Sequence, residues 1–205
     1  MLSHIMANGG LILIAIGLCS VLATAVTIER MIRLLPLSRR LRAAWFELEG
    51  ALARHRSQDL MQIGLPEDLP LTRVLDRAQR AAPGGREAVR IASLEAAQRE
   101  VPLLERGLSL LAIVAQVSPL LGLLGTVVGL MEAFQAAGES ERIVHSALAS
   151  GIYKALGTTA AGLAVAIPAY IAYSMLSGVA NRQIDQLETL AGELPALLVP
   201  EAPAQ

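Results

Sequence analysis

"VSPLLGLLGTVVGLMEAF", Val117 to Phe134, decides the fold of this chain. It runs uncharged as far as Glu132, yet Pro119, Gly122, Gly125 and Gly129 interrupt the apolar residues. Those residue types weaken a helix in water. In lipid the balance changes, because there is little hydrophobic gain when helices associate and small residues let two backbones approach closely. The stretch therefore reads as a membrane helix built to pack tightly, with the hydroxyl of Thr126 set into it.

The rest of the chain agrees with a membrane setting. Hydrophobic residues make up 54% and charged residues only 17%, and the mean hydropathy is +0.52, outside the usual range for a soluble domain. Three stretches lack Asp, Glu, Lys, Arg and His: Ile5 to Ile28, Gly107 to Met131, and Ala155 to Asn181. Each exceeds the roughly 20 residues needed to cross a bilayer core. The expected fold is an all-α integral membrane protein with three transmembrane helices and long cytoplasmic helical extensions.

The first stretch resembles a secretory signal near Ala23, Thr24 and Ala25, where a cleavage site could lie. Its charges argue for an uncleaved anchor: nothing basic precedes the apolar run, whereas Arg30, Arg33, Arg39, Arg40 and Arg42 follow it. Of 17 Lys and Arg residues, 14 lie between Arg30 and Arg106. Positive charge collects on the cytoplasmic side, which predicts an outer N terminus and an inner C terminus.

The insert between the first two spans is rich in Ala, Leu, Arg and Glu, a helix-forming composition. "GLPEDLP" at Gly64 to Pro70 and "APGG" at Ala82 to Gly85 divide it into an extension of the first span, a short middle helix, and a long helix from about Arg86. The long helix is expected to run straight into the second span, with a kink at Pro102. Beyond the third span, Ile184, Leu187, Leu190 and Leu194 keep a helical period, and the tail "VPEAPAQ" should fray. The organisation is thus an N-terminal segment and first span (1–29), a cytoplasmic helical insert (30–106), the second span (107–134), an outer loop with the start of the third helix (135–154), the third span (155–181), and a cytoplasmic extension and tail (182–205).

Several chemistries are disfavoured. Cys19 is the only cysteine, and His4, His55 and His145 fall on both sides of the expected membrane, so no metal site and no cofactor is expected. Ser177 has no histidine within the spans to activate it, and "GIYKALGTTAAG" lacks phosphate-loop spacing, so an enzyme is not expected. No basic patch interleaved with aromatics points to nucleic acid. A secondary transporter would show repeats and more spans.

The informative residues lie in the second and third spans. Gly122, Gly125 and Gly129 form one small-residue stripe, and Gly157, Ala161 and Gly162 begin another, continued by Ala164, Ala166 and Ala169. Pro119 and Pro168 free the carbonyls of Ala115 and Ala164, which marks either a packed kink or a partly hydrated cavity; two such prolines on adjacent spans favour the cavity. On ideal helices Gly122, Gly129 and Ala133 share the face of Thr126, and Gly162, Ala166, Tyr170 and Tyr173 share that of Thr159, with Thr158 adjoining. A membrane threonine often only bonds back to its own helix.

"SPLLGLLGTVVGLMEAF" and "GIYKALGTTAAGLAVAIPAYIAY" together resemble the paired signature of the ExbB and TolQ proteins, relatives of the flagellar stator protein MotA. The resemblance implies an inner-membrane energy-transducing subunit that forms a five-fold ring, a homo-oligomer around a single-span partner of the ExbD or TolR kind. That partner would supply a membrane aspartate, and a TonB- or TolA-like protein would receive the motion. It also implies that Thr126 and Thr159 face the pore, with Thr158 beside them and Ala166, Tyr170 and Tyr173 on the same face. The short N terminus and insert resemble ExbB most, TolQ shares both signatures, and MotA has a fourth span. A passive scaffold is the remaining reading.

One residue departs from the family pattern: Lys154 stands where glutamate is frequent. Lys154 lies about 7.5 Å outward of Thr159 and Glu132 about 9 Å outward of Thr126 on ideal helices. The two are expected either to pair at the outer mouth or, for Lys154, to reach the headgroups alone.

Overall fold

The computed structural model describes residues 10–52, 65–138 and 145–199. His4, His55, Gly64, Arg142 and the tail from Pro200 lie outside the described residues, as does the side chain of His145. Among the described residues the fold is all-α: α1 (Gly10–Leu52), α2 (Pro70–Ala81), a 3-10 turn (Ala82–Gly84), α3 (Arg86–Glu105), α4 (Leu108–Gly138) and α5 (His145–Leu198). Three of these helices, α1, α4 and α5, contain segments long and apolar enough to cross a membrane.

The chain divides into two compact units, one formed by residues 1–29 and 107–175, the other by 30–106 and 176–205. The two bury opposite kinds of residue. In the first unit the buried positions are mostly small, among them Ala23, Ala115, Ser118, Ala133, Ala155, Thr158, Ala166 and Ala169. Its large apolar side chains point outward: Leu18, Val21, Leu120, Leu123, Met131, Phe134, Ile167 and Met175 are all exposed. That is the arrangement of helices that meet lipid on the outside and one another through small residues.

The second unit is built like a water-soluble bundle. Leu34, Leu41 and Leu48 of α1, Leu71, Val74 and Leu75 of α2, Val89 and Leu104 of α3, and Leu187, Leu190 and Leu194 of α5 are buried. Two polar contacts tie this core together, while the buried Gln183 amide has no partner among the described residues: Ser93 Oγ donates to the carbonyl of Ala191 at 2.9 Å, joining α3 to α5. Arg73 forks onto Glu100, with Nε to Oε1 at 2.7 Å and Nη2 to Oε2 at 2.5 Å, joining α2 to α3.

The helix ends follow local chemistry. Pro70 occupies the first turn of α2 after an extended Leu69, a position where its missing N–H costs nothing. The "APGG" punctuation becomes the 3-10 turn, and Gly85 takes φ 88°, left-handed backbone that glycine adopts without a Cβ clash. One expectation is corrected here. The third helix runs through Pro102 and does not continue straight into the second span; it ends at Glu105, and Gly107 turns the chain at φ 78° before α4 starts. Glycine in that conformation is a helix terminator, and the Gly107 carbonyl accepts the Leu111 N–H at 3.3 Å as the next helix begins.

Outside the spans, Arg40 holds Asp68 through two bonds of 2.7 and 2.8 Å. The hydrogen bond from that guanidinium keeps the Asp68 carboxyl below its ordinary value. Because the folded value is depressed, the pair supports the fold above the unfolded aspartate value, near 3.9, and the support is lost as pH falls through the folded value. A carboxyl-carbon NMR titration of Asp68 should give a midpoint below that of free aspartate. A midpoint at or above it would remove the bond from solution.

Candidate functional site

Within the first unit, α4 and α5 run antiparallel along a seam of small residues. A Cβ added to Gly162 would lie 2.5 Å from the Ser118 carbonyl oxygen and 3.1 Å from the Gly122 Cα. One added to Gly122 would lie 2.9 Å from the Thr159 Cα, and one on Gly129 3.1 Å from the Ala155 Cβ. Gly125 meets Thr158 and Gly151 meets Ala133 in the same way. The seam thus pairs Ser118, Gly122, Gly125, Gly129 and Ala133 with Gly162, Thr159, Thr158, Ala155 and Gly151. Steps of three and four keep the α4 members on one face, as they do Gly151, Ala155, Thr158 and Gly162 of α5, with Thr159 at the edge of that face beside Thr158.

Gly157 does not belong to it. A Cβ there would meet nothing within 4 Å. Five residues from Gly162 is about 140° around a helix, so the two glycines cannot share a face. The seam members absent from the sequence reading are Ser118, Gly151 and Ala155. Their signal was present: Gly151, Ala155, Thr158 and Gly162 repeat at four, three and four.

Close approach brings the hydroxyls to the opposite backbone. Thr159 Oγ1 donates to the Gly122 carbonyl at 3.0 Å. Thr158 Oγ1 lies 2.7 Å from the Ala155 carbonyl and 3.3 Å from that of Gly122. A hydroxyl has one proton, so the shorter contact takes that of Thr158 and leaves the Gly122 carbonyl mainly to Thr159. Thr126 instead donates to Leu123 of its own helix at 2.7 Å. The structure therefore brings Thr158 and Thr159 side by side near the Gly122 carbonyl, bonded by Thr159, and leaves Thr126 separate.

A groove of about 270 Å³ continues from Thr158 along Gly125, Gly129 and Ala155 to Glu132 and Lys154. The two charged residues line the same groove with no salt bridge between them among the described residues. Pro168 and Ala164 line a different groove, about 260 Å³, with Ser20, Thr24 and Thr27 of α1. Pro119 lines neither. The idealised face of Thr159 also divides: Ala166 is 5% exposed, whereas Tyr170 is 62% exposed and stacks at a tilt on Tyr173 with ring centroids 6.5 Å apart.

A model of the MotA/TolQ/ExbB proton channel family matches residues 66–189, which include α2, α3, the seam and most of α5. The chain belongs to this family. Among MotA/TolQ/ExbB relatives, the Tol-Pal system protein TolQ of Pseudomonas aeruginosa is 40% identical over 112 residues, 55% of this chain and 48% of that protein. A putative biopolymer transport protein ExbB homolog of Methanothermobacter thermautotrophicus is 35% identical over 131 residues, 64% of this chain and 46% of that protein. The biopolymer transport protein ExbB of Xanthomonas campestris is 34% identical over 144 residues, 70% of this chain and 51% of that protein. The chain spans about half the length of these curated relatives. Membership of the MotA/TolQ/ExbB family, with three apolar helices of spanning length, makes this a multi-pass membrane protein of a proton channel family.

Proposed function

We propose that this protein is an inner-membrane ring subunit of a motor driven by the proton gradient, ExbB-like, which works with an ExbD-like single-span partner to energise TonB-dependent import. The observation that carries the reading is an absence of titrating groups. Intramembrane proton relays use carboxylates or histidines, and the three uncharged stretches contain none. The hydroxyl protons of Thr158 and Thr159 are engaged at backbone carbonyls. A partner helix must therefore bring the titrating carboxylate, and the subunits alone should conduct few protons.

On this reading Thr126 and Thr159 face that partner, Glu132 and Lys154 lie toward the outer mouth, and the arginine-rich insert is cytoplasmic, with the N terminus in the periplasm. A TolQ-like role in the envelope is the second reading, favoured by the 40% identity to a TolQ. The two separate in a complementation test, where import restores growth on an iron chelate and a Tol role restores detergent resistance.

The decisive measurement is native mass in mild detergent, with and without the co-expressed single-span partner. A five-fold oligomer that gains mass with the partner supports the motor; a monomer that ignores it removes the ring. Once a ring is in hand, Thr126→Val with Thr159→Val should lower gradient-driven activity about tenfold, the scale of about 1.4 kcal/mol. Intact activity would make the protein a passive scaffold.

A further inference from the structure

The second unit carries a feature that the motor reading does not use. A groove of about 350 Å³ between α2 and α3 is lined by Arg73, Asp76, Arg77, Arg80, Arg99 and Glu100, with Ala96 as its apolar wall. Arg73, Arg77 and Arg80 stand at spacings of four and three, so they share one face of α2, where like charges repel. Arg99 adds a fourth guanidinium from α3. Two carboxylates line the groove beside the four guanidinium groups, and Glu95 approaches Arg99 from outside it at 3.8 Å, which leaves the positive charge in surplus.

The arginines are not equivalent. Arg73 is fully committed, its fork on Glu100 and its Nη1 on the Asp68 carbonyl at 3.1 Å. Arg80 is held by Asp76, with Nε to Oδ1 at 3.0 Å and Nη2 to Oδ2 at 2.9 Å. Arg77 has no hydrogen bond or ion pair among the described residues, and Arg99 touches Glu95 only at 3.8 Å. Neither Arg77 nor Arg99, one on each wall, spends its guanidinium fork on a hydrogen bond, and the Arg73–Glu100 pair joins the two walls between them.

We propose that this groove binds a phosphate-bearing anion, held between Arg77 of α2 and Arg99 of α3. The planar guanidinium presents paired N–H donors that match phosphate oxygens two at a time. The surplus positive charge of the groove matches an anionic phosphate group, monoester or diester. The bound anion would clamp the two helices and relieve the repulsion along α2. The same headgroup chemistry occurs in a free polyphosphate and in an anionic lipid, and the experiment tells these sources apart.

The test uses the full chain in nanodiscs of phosphatidylcholine, a lipid with no net charge. Inorganic pyrophosphate is titrated by calorimetry, and phosphatidylglycerol is offered in a parallel set read by native mass spectrometry. Binding should weaken at least tenfold in Arg77→Gln with Arg99→Gln, while Arg90→Gln, which breaks an exposed pair with Glu87 outside the groove, leaves it unchanged. Arg77→Lys with Arg99→Lys keeps the charge but not the forks and should fall between. Helical content and melting should match the parent in every variant, since neither open guanidinium holds the fold. Saturable binding of pyrophosphate assigns a soluble ligand, and binding of phosphatidylglycerol alone assigns a lipid. The proposal is overturned if neither probe saturates, if Arg90→Gln weakens binding as much as the double variant, or if a hexaglutamate peptide binds the groove more tightly than both phosphates.

Discussion

Gly162→Leu should drive the second and third spans apart and lower the stability of the membrane unit by about 2–4 kcal/mol. Even the first atom of the new side chain would lie 2.5 Å from the Ser118 carbonyl oxygen and 3.1 Å from the Gly122 Cα. Both are backbone atoms, so no rotamer change relieves the clash. The helices must separate, and the 3.0 Å bond from Thr159 to the Gly122 carbonyl goes with the contact. Overpacking of a tight interior costs about 1–3 kcal/mol, and a lost hydrogen bond adds about 1 kcal/mol. The matched control is Gly157→Ala, where a Cβ meets nothing and the intrinsic helix preference improves by up to about 1 kcal/mol. Thermal melts followed by circular dichroism in one detergent compare the two. Equal midpoints for Gly162→Leu and the parent would mean that the seam does not hold the spans together.

The second large effect belongs to the other unit. Arg73→Ala should destabilise it by about 2–4 kcal/mol, near the range for breaking a buried pair. The side chain of Glu100 is only 8% exposed, so removal of the guanidinium strands a carboxylate that water cannot easily reach. Arg73 itself is 45% exposed, which makes the reverse change, Glu100→Gln, milder: the freed guanidinium can rehydrate. Arg40→Ala breaks a pair that is open to solvent on both sides and should change little. Urea melts of the three variants should rank in that order. A well-packed apolar replacement, Arg73→Met with Glu100→Leu, should recover most of the loss. If Arg73→Ala and Arg40→Ala prove equally mild, the burial of Glu100 is not felt in solution.

The fold was legible in the sequence where the signal was long. Charge-free stretches revealed the spans, because each exceeds what a soluble core helix needs, and "GLPEDLP" with "APGG" correctly divided the insert. Gly107 was harder. A lone glycine at the edge of an apolar run looks like any other glycine, and only its φ of 78° shows that it ends one helix and precedes the next. Pro102 lies inside α3, so the end of that helix falls at the glycine and not at the proline.

The candidate site was half legible for a related reason. Small residues occur on every face of the third span, so composition cannot say which of them meet the partner helix. Gly151, Ala155, Thr158 and Gly162 do; a Cβ on Gly157 meets nothing, and Ala164, about 200° around the helix from Gly162, lines the groove with α1 instead. The arginine groove left no mark in the chain order, since Arg77 and Arg99 meet only through the turn at Gly85 that folds α3 back on α2.

The seam has one further property. Gly122, Gly125, Gly129, Gly151 and Gly162, with Ala133 and Ala155, have no side-chain torsions between heavy atoms; only Ser118, Thr158 and Thr159 do. Long apolar side chains lose up to about 1–2 kcal/mol of rotamer freedom each when they are packed, whereas glycine and alanine lose none. The second and third spans therefore close against each other with almost no motion left to freeze, and their union should weaken little as the temperature rises.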